Sequence, residues 1–412
     1  MSGLADQFRT IVSKEKDPRK KKEAEPDIAY PTGFLAFDFL NGLKVYYKEK
    51  DSDNYKSYNS IGIVDGSMVT IIGRSGCGKT TFAMQVAGNI IKKYDTSSIF
   101  HDDIEGGIVL TRKQQLLDLY GEEFESRYIS RNTGITAENF YERIKTIHDI
   151  KNMNRAEYEY NTGEVNSKGE PIIKLEPTVY ILDSLALLMP EKYVDEEDLS
   201  GQMAATAAAK TNSAIFKRII PMLKNANIIL MVINHITESV EINQFARKQG
   251  QLAFLKPGET LGGGRVAVYV TNLLIRLDDH SKLKEEEAYG IDGIKVTVTL
   301  YKSRTTHAGN SITLILDYMN GFDKELSLFD LLKDHKRVGG AGAYLYFNCR
   351  PDLKFSQRQL KKKLEENPEL QKAFATESFA VLQELIYDPG VPEDRIKKSY
   401  DINDLILGEL VA

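Results

Sequence analysis

Cysteine is almost missing from this chain. Its 412 residues include only Cys77 and Cys349, far apart and without metal-ligand spacing. That argues against a disulfide framework or a zinc site and for a reducing compartment. The first residues, "MSGLADQFRTIVSKEKD", lack the apolar core of a signal peptide, and no apolar run reaches membrane length. A soluble, intracellular, cytoplasmic protein is therefore expected. There is no basic excess either: the net charge is -5 and the pI about 5.9, so composition does not announce nucleic acid. No internal repeat is evident.

What is present belongs to an ordinary globular protein, 42% hydrophobic and long enough for two or three domains. Residues 4–13, "LADQFRTIVS", place Leu4, Phe8, Ile11 and Val12 at near-helical spacing ahead of a basic run, "KEKDPRKKK". The short amphipathic piece has little to bury alone, which points to a partner surface. From residue 66 strands and helices alternate. "SMVTIIG", "SSIFHDD", "TVYILDS", "IILMVIN", "VAVYVTNLLIRLD", "IKVTVTLYKS" and "SITLILDY" read as strands. "KTTFAMQVAGNIIKKY", "GITAENFYERIKTIHDIK" and a stretch from about 202 to 226 read as helices. The expected class is α/β, a mostly parallel twisted sheet with helices on both faces.

The expected units are 1–28, an N-terminal helix and linker; 29–325, the core; and 326–412, a small C-terminal α/β domain with helices in "SQRQLKKKLEENPELQKAF" and "ESFAVLQELIYD". Two polar stretches, about 44–60 and 151–177, read as insertions, the first as a surface loop.

"GRSGCGKTT" satisfies G-x-x-x-x-G-K-[ST] between an apolar strand and an amphipathic helix, the context of a phosphate-binding P-loop. Gly73, Arg74, Ser75, Gly76, Cys77, Gly78, Lys79, Thr80 and Thr81 form it, with Cys77 at a tolerant position. Backbone N–H groups converge on the phosphates of a nucleotide, Lys79 reaches its β and γ phosphates, and Thr80 ligates Mg²⁺. Asp183, ending the apolar strand "VYILD", supplies the partner carboxylate for the metal. Hydrolysis also needs a group to orient or deprotonate water; Asp102, Asp103 and Glu105 after the second strand are the candidates. The strand "IILMVIN" stops at Asn234 and His235 and opens into an unusually long loop, ending in three glycines.

The ordered series "PTGFLAFDFLNG", "GRSGCGKTTFAMQV", "IFHDDIEGG", "VYILDSLALLMP", "ILMVINHI", "LGGGRVAVYVTNLLIRL", "VTLYKSRTTHAGNSITLIL" and "GAGAYLYFN" resembles the RecA family of ATP-dependent recombinases, including the UvsX-type recombinases of bacteriophages. The resemblance covers about 29 to 385. It implies a RecA-like P-loop ATPase core with a short N-terminal oligomerisation helix, and Glu105 as the catalytic glutamate. His235 then stands at the γ-phosphate sensor, where the UvsX type has His. Lys302 and Arg304 of "YKSR" would reach ATP bound by the adjacent subunit of a filament.

The family's DNA-binding loops correspond to about 190–203 and 236–264. The second offers Phe245, Arg247, Lys248, Phe254, Lys256 and Arg265, suited to gripping phosphates and wedging between bases. The first is more acidic than such a loop should be and offers Lys192, Tyr193, Leu199 and Met203. Implied partners are single- and double-stranded DNA, further copies of the chain in a helical filament, and loader or single-strand-binding proteins. A ring-forming helicase motor and a weakly hydrolysing scaffold are the competing readings.

Overall fold

The computed structural model describes residues 27–48, 54–165, 170–194, 201–238, 252–263, 266–285, 289–342 and 344–391, with side chains omitted at 48 and 201–207. The expected helix at 4–13, the basic run after it, Leu199 and the C-terminal "SYDINDLILGELVA" lie outside these residues. So do Phe245, Arg247, Lys248 and Arg265.

The chain builds a ten-stranded sheet. In chain order its strands are β1 (Met68–Gly73), β2 (Ile99–Asp103), β3 (Tyr128–Arg131), β4 (Thr178–Asp183), β5 (Ile228–Glu238), β6 (Glu259–Leu261), β7 (Leu273–Leu283), β8 (Gly293–Ser303), β9 (Ser311–Asp317) and β10 (Gly321–Asp323). Across the sheet they run β10-β9-β8-β7-β1-β5-β4-β2-β3, with β6 paired to the far end of β5. The six strands from β7 to β3 are mutually parallel, and β8, β9 and β10 continue the sheet antiparallel. This is the α/β architecture expected from the sequence.

Burial on both faces explains the nearly continuous apolar runs of the central strands. In β4, Val179 and Ile181 enter one core cluster while Tyr180 and Leu182 enter the other; in β5, Ile229, Met231 and Ile233 alternate with Ile228, Leu230 and Val232. Side chains alternate faces with period two, so each strand feeds both layers. Three helices matter most for the site. α1 (Lys79–Ile91) buries Phe82, Met84, Val86 and Ile90 on one face of the sheet. On the other, α2 (Ala137–Met153) and α3 (Gly201–Ala226) pack Phe140, Ile144, Phe216 and Leu223. The Thr136 side chain starts α2 by accepting from the Asn139 amide at 3.1 Å.

Several expectations need correction. β5 does not stop at His235 but runs to Glu238. Its parallel partner β1 ends at Gly73, opposite His235, and beyond that point β6 returns antiparallel to satisfy the exposed backbone. "VAVYV" is a helix, α4 (Val266–Val270), not the start of a strand. Its valines favour strand, but Ala267 and Val268 are buried in two core clusters, and packing overrides propensity. Within the first inserted stretch, expected as a loop, Leu43–Lys48 pairs antiparallel with Tyr55–Ser60 as the two strands of a hairpin. The second inserted stretch contains another, Glu159–Val165 against Pro171–Leu175. The hairpins meet through a Tyr58–Glu164 hydrogen bond, and the second is docked on the core by Lys174 to Asp65 at 3.0 Å and Tyr160 to Tyr30 at 3.0 Å.

Near the C-terminus the helix break falls at Asn367, so one helix spans Pro368–Leu385 across the gap expected near 375. Proline is well placed at a first helical turn, where its missing N–H costs nothing. Phe329, Phe347 and Phe374 from this end share one hydrophobic cluster with Phe37 and Phe82. Among the described residues, no helix is long and apolar enough to cross a membrane.

Candidate nucleotide site

The parallel strands deliver their last residues to one edge of the sheet, where ligands of open α/β folds collect. β1 ends at Gly73 and hands the chain to α1 through the P-loop. Gly76 and Gly78 adopt φ +81° and +86°, a region closed to most residues. A Cβ on Gly76 would meet nothing within 4 Å, so this side of the loop is open; one on Gly78 would press on Leu316 and Phe322 at 2.9 and 3.0 Å. Arg74, Ser75 and Gly76 are exposed and Thr81 is half-buried at the start of α1. Cys77 does not sit at a tolerant position: it is 1% exposed, its Sγ donates to the Arg74 carbonyl at 3.0 Å, and burial raises its pKa.

Lys79 lies across the loop, with Nζ donating to the Arg74 carbonyl at 2.8 Å. Burial lowers its pKa, and Cys77, Asp183 and Glu105 act in the other direction. Thr80 Oγ1 donates to Asp183 Oδ2 at 2.6 Å, joining α1 to the end of β4. The Asp183 carbonyl in turn accepts from the Ile104 and Glu105 amides at 2.6 and 3.4 Å, which sets Glu105 beside it. His235, level with Gly73 in the sheet, completes the group by donating Nε2–H to Glu105 Oε1 at 2.5 Å. One ligand atom each from Glu105, Asp183 and His235 lies within 4.8 Å of the others.

Asp183 is 3% exposed, and its Oδ1 has no hydrogen-bond partner among the described residues. Burial raises its pKa to about 6, against the hydrogen bond from Thr80, and Glu105 and Asp103 add repulsion. A buried carboxylate oxygen without a donor, beside a threonine hydroxyl, fits an oxygen-seeking cation such as Mg²⁺.

The three acids at and just after the end of β2 separate cleanly. Asp102 is buried and bound by Arg143 and by Tyr180 at 2.5 Å; Asp103 is buried and bound by Lys113 at 2.8 Å and the Gly106 amide at 2.9 Å. Neither faces the phosphate loop as expected. Glu105, with 37% of its side chain exposed, is the one that does.

Lys302 and Arg304 do not join this cluster. Lys302 is opposite Leu274, which is itself opposite Thr70, and the chain leaves β8 at Ser303, toward the edge of the sheet where β1 begins. Lys302 Nζ donates to the Tyr269 and Val268 carbonyls at the end of α4, at 2.7 and 3.3 Å, while Arg304 is exposed. Of the expected DNA-contacting residues, Phe254 is 7% exposed and packs with Ile72, Ile236, Val268 and Leu274, so it belongs to the core and is not free to wedge between bases. Lys256 is exposed and pairs with Asp278 at 3.3 Å. Met203 lies in the first turn of α3 rather than in a loop.

Sequence reasoning missed an ion-pair group next to the P-loop: Arg74 with Glu238 and Glu259, and Arg276 with Glu259 and Asp278. The available signal was Arg276 itself, a charge inside the apolar run "NLLIRLD", which demands a buried partner.

Comparison with known proteins gives matches to Protein RecA of Geobacter metallireducens, 21% identical over 90% of this chain and 88% of that protein. Protein RecA of Clostridium botulinum matches at 22% identity over 75% of this chain and 73% of its own length, and Protein RecA of Ureaplasma parvum at 23% over 75% and 78%. The chain is similar to RecA proteins over most of its length. No family model matches. This similarity and the sheet together support a relation to the RecA family and a RecA-like core.

Proposed function

We propose that the chain is an ATP-dependent DNA recombinase, a DNA-dependent ATPase that assembles on single-stranded DNA as a helical filament and pairs it with homologous duplex. The observation that carries this reading is the division of groups between the two edges of one sheet. Phosphate, metal and water-activating candidates gather at the end of β1, whereas Lys302 and Arg304 project from the opposite edge. In this reading another copy brings those cations to the nucleotide, and head-to-tail contacts between copies generate rings where the rotation closes and open helices where it does not.

In this reading the P-loop amides and Lys79 hold the ATP phosphates. Thr80 and Asp183 hold Mg²⁺, which neutralises phosphate charge. Glu105 accepts a proton from the attacking water, and His235 Nε2 exchanges its bond to Glu105 for one to the γ phosphate. The neighbour's Lys302 and Arg304 stabilise transition-state charge as an arginine finger does. A histidine at the sensor position favours the UvsX-type branch.

The test combines electron microscopy with phosphate release. Extended filaments on single-stranded DNA with a slowly hydrolysed ATP analogue, and DNA-stimulated hydrolysis of ATP, are expected. Closed rings with duplex unwinding overturn the reading in favour of a motor, and filaments without DNA-stimulated hydrolysis favour a scaffold.

A further inference from the structure

A second connection leaves the phosphate loop without passing through His235. Arg74 Nη2 lies 3.1 Å from Glu238 Oε1 and 3.4 Å from Glu259 Oε1. Those acids are directly opposite each other, the last rung of the β5–β6 ladder after Ile236–Leu261 and Thr237–Thr260. One guanidinium therefore holds both strands where the chain from 239 to 258 departs.

The two halves of this group differ in freedom. Glu259 and Arg276 have side chains 1% and 0% exposed and are joined at 2.7 and 3.0 Å. Arg276 is fixed further by Asp278 at 2.8 Å and the Phe254 carbonyl at 2.6 Å, and Glu259 by the Lys256 amide at 2.8 Å. Arg74 and Glu238 are 51% and 73% exposed. A rigid anchor in β7 thus carries a movable contact to the P-loop.

The backbone at Arg74 is also tied to the lysine of the loop. Its carbonyl accepts the Lys79 ammonium at 2.8 Å, and a triphosphate that engages the other two donors of that ammonium acts on this bond and on the Arg74 backbone. We infer that Arg74 is a positioning residue which transmits the occupancy of the phosphate loop to the β5–β6 strand pair through Glu238 and Glu259. The inference rests on the proposed binding of ATP at this loop. Contact of the following segment with DNA is needed only for one arm of the test.

The experiment uses the full chain and two readouts. Hydrogen exchange follows the amides of 236–238 and 259–261 with and without Mg²⁺ and a slowly hydrolysed ATP analogue. Fluorescence anisotropy compares affinity for a single-stranded oligonucleotide with that analogue and with ADP. Glu238→Gln lies outside the phosphate loop and should bind the analogue as the parent does, yet lose most of the nucleotide-dependent protection. Its analogue-to-ADP ratio of DNA affinities should shrink by about fivefold. Arg74→Ala should lose the same protection, and Arg74→Lys should recover part of it. Parent-like protection changes in both Glu238→Gln and Arg74→Ala overturn the inference. If the parent's DNA affinity ignores the nucleotide, the DNA reading fails while the exchange arm still judges Arg74.

Discussion

At one edge of the central sheet Thr80 is bonded to Asp183 and His235 to Glu105, with Asp183, Glu105 and His235 offering atoms within 4.8 Å of one another, whereas at the other Lys302 is folded back on the Val268 and Tyr269 carbonyls of α4 and Arg304 is exposed. The first edge is held by sheet register: β1 ends opposite His235 of β5, and β4 ends one residue past the Leu182–Val232 rung, so these residues need no search. The second has no reacting partner among the described residues. Under the proposed arrangement, chemistry and its trigger are separated by the length of a strand, and assembly reunites them.

The sharpest way to break this comparison is at the pre-organised edge. Lys79→Ala should cut ATP turnover by about a hundredfold to a thousandfold, the range for removing one preorganised charge donor, as measured by phosphate release with single-stranded DNA. Full turnover would remove the P-loop from the chemistry.

Next comes the other edge. Lys302→Ala combined with Arg304→Ala should leave binding of a fluorescent ATP analogue within about twofold while DNA-stimulated turnover falls by about a hundredfold or more. Mixing this double variant with Lys79→Ala should restore part of the turnover, because each supplies what the other lacks across an interface. No recovery in the mixture would place the cations elsewhere.

His235→Ala should reduce the ratio of DNA affinities between ATP-like and ADP states by about fivefold to tenfold, read by anisotropy. An unchanged ratio would return His235 to a structural role.

The smallest effect is on stability, and its sign is opposite. Burial raises the Asp183 pKa to about 6, above the unfolded value near 4. The stabilisation tied to its proton is complete below about pH 4 and is lost as pH rises through about 6. At pH 7 the nucleotide-free protein therefore carries a buried charge that the Thr80 hydroxyl and Lys79 offset only in part. Asp183→Asn should stabilise it by about 1 to 3 kcal/mol in denaturant titrations and abolish Mg²⁺-dependent turnover. The stabilisation should disappear at pH 4.

Much of this was legible in the chain because it is local. The P-loop is a contiguous string between a strand and a helix, and Asp183 and His235 each end an apolar run of alternating cores. Glu105 needed the structure or the family resemblance, since only tertiary contacts show that Arg143, Tyr180 and Lys113 remove Asp102 and Asp103 from contention.

What stayed hidden was non-local. Nothing in "QLAFLKPGETLGGG" announces that Glu259 will meet an arginine from position 74 and another from 276, or that Phe254 will be claimed by the core. The valines of α4 argued for strand, and only the packing of Ala267 and Val268 into two core clusters decides for helix. The inserted hairpins failed for another reason. Strands such as Tyr55–Ser60 and Glu159–Val165 are polar and half-exposed and carry a weak pattern, although Pro171–Leu175 buries Ile172 and Leu175.

The ammonium of Lys302, stowed on the Tyr269 and Val268 carbonyls, has a consequence for stoichiometry. Under the proposed arrangement, a row of n subunits has one fewer complete ATPase centre than it has nucleotides. Free subunits are idle, a dimer has a single working centre, and every row keeps one terminal subunit whose ATP persists. Head and tail of the polymer are then chemically distinguishable, which gives growth and disassembly a built-in direction.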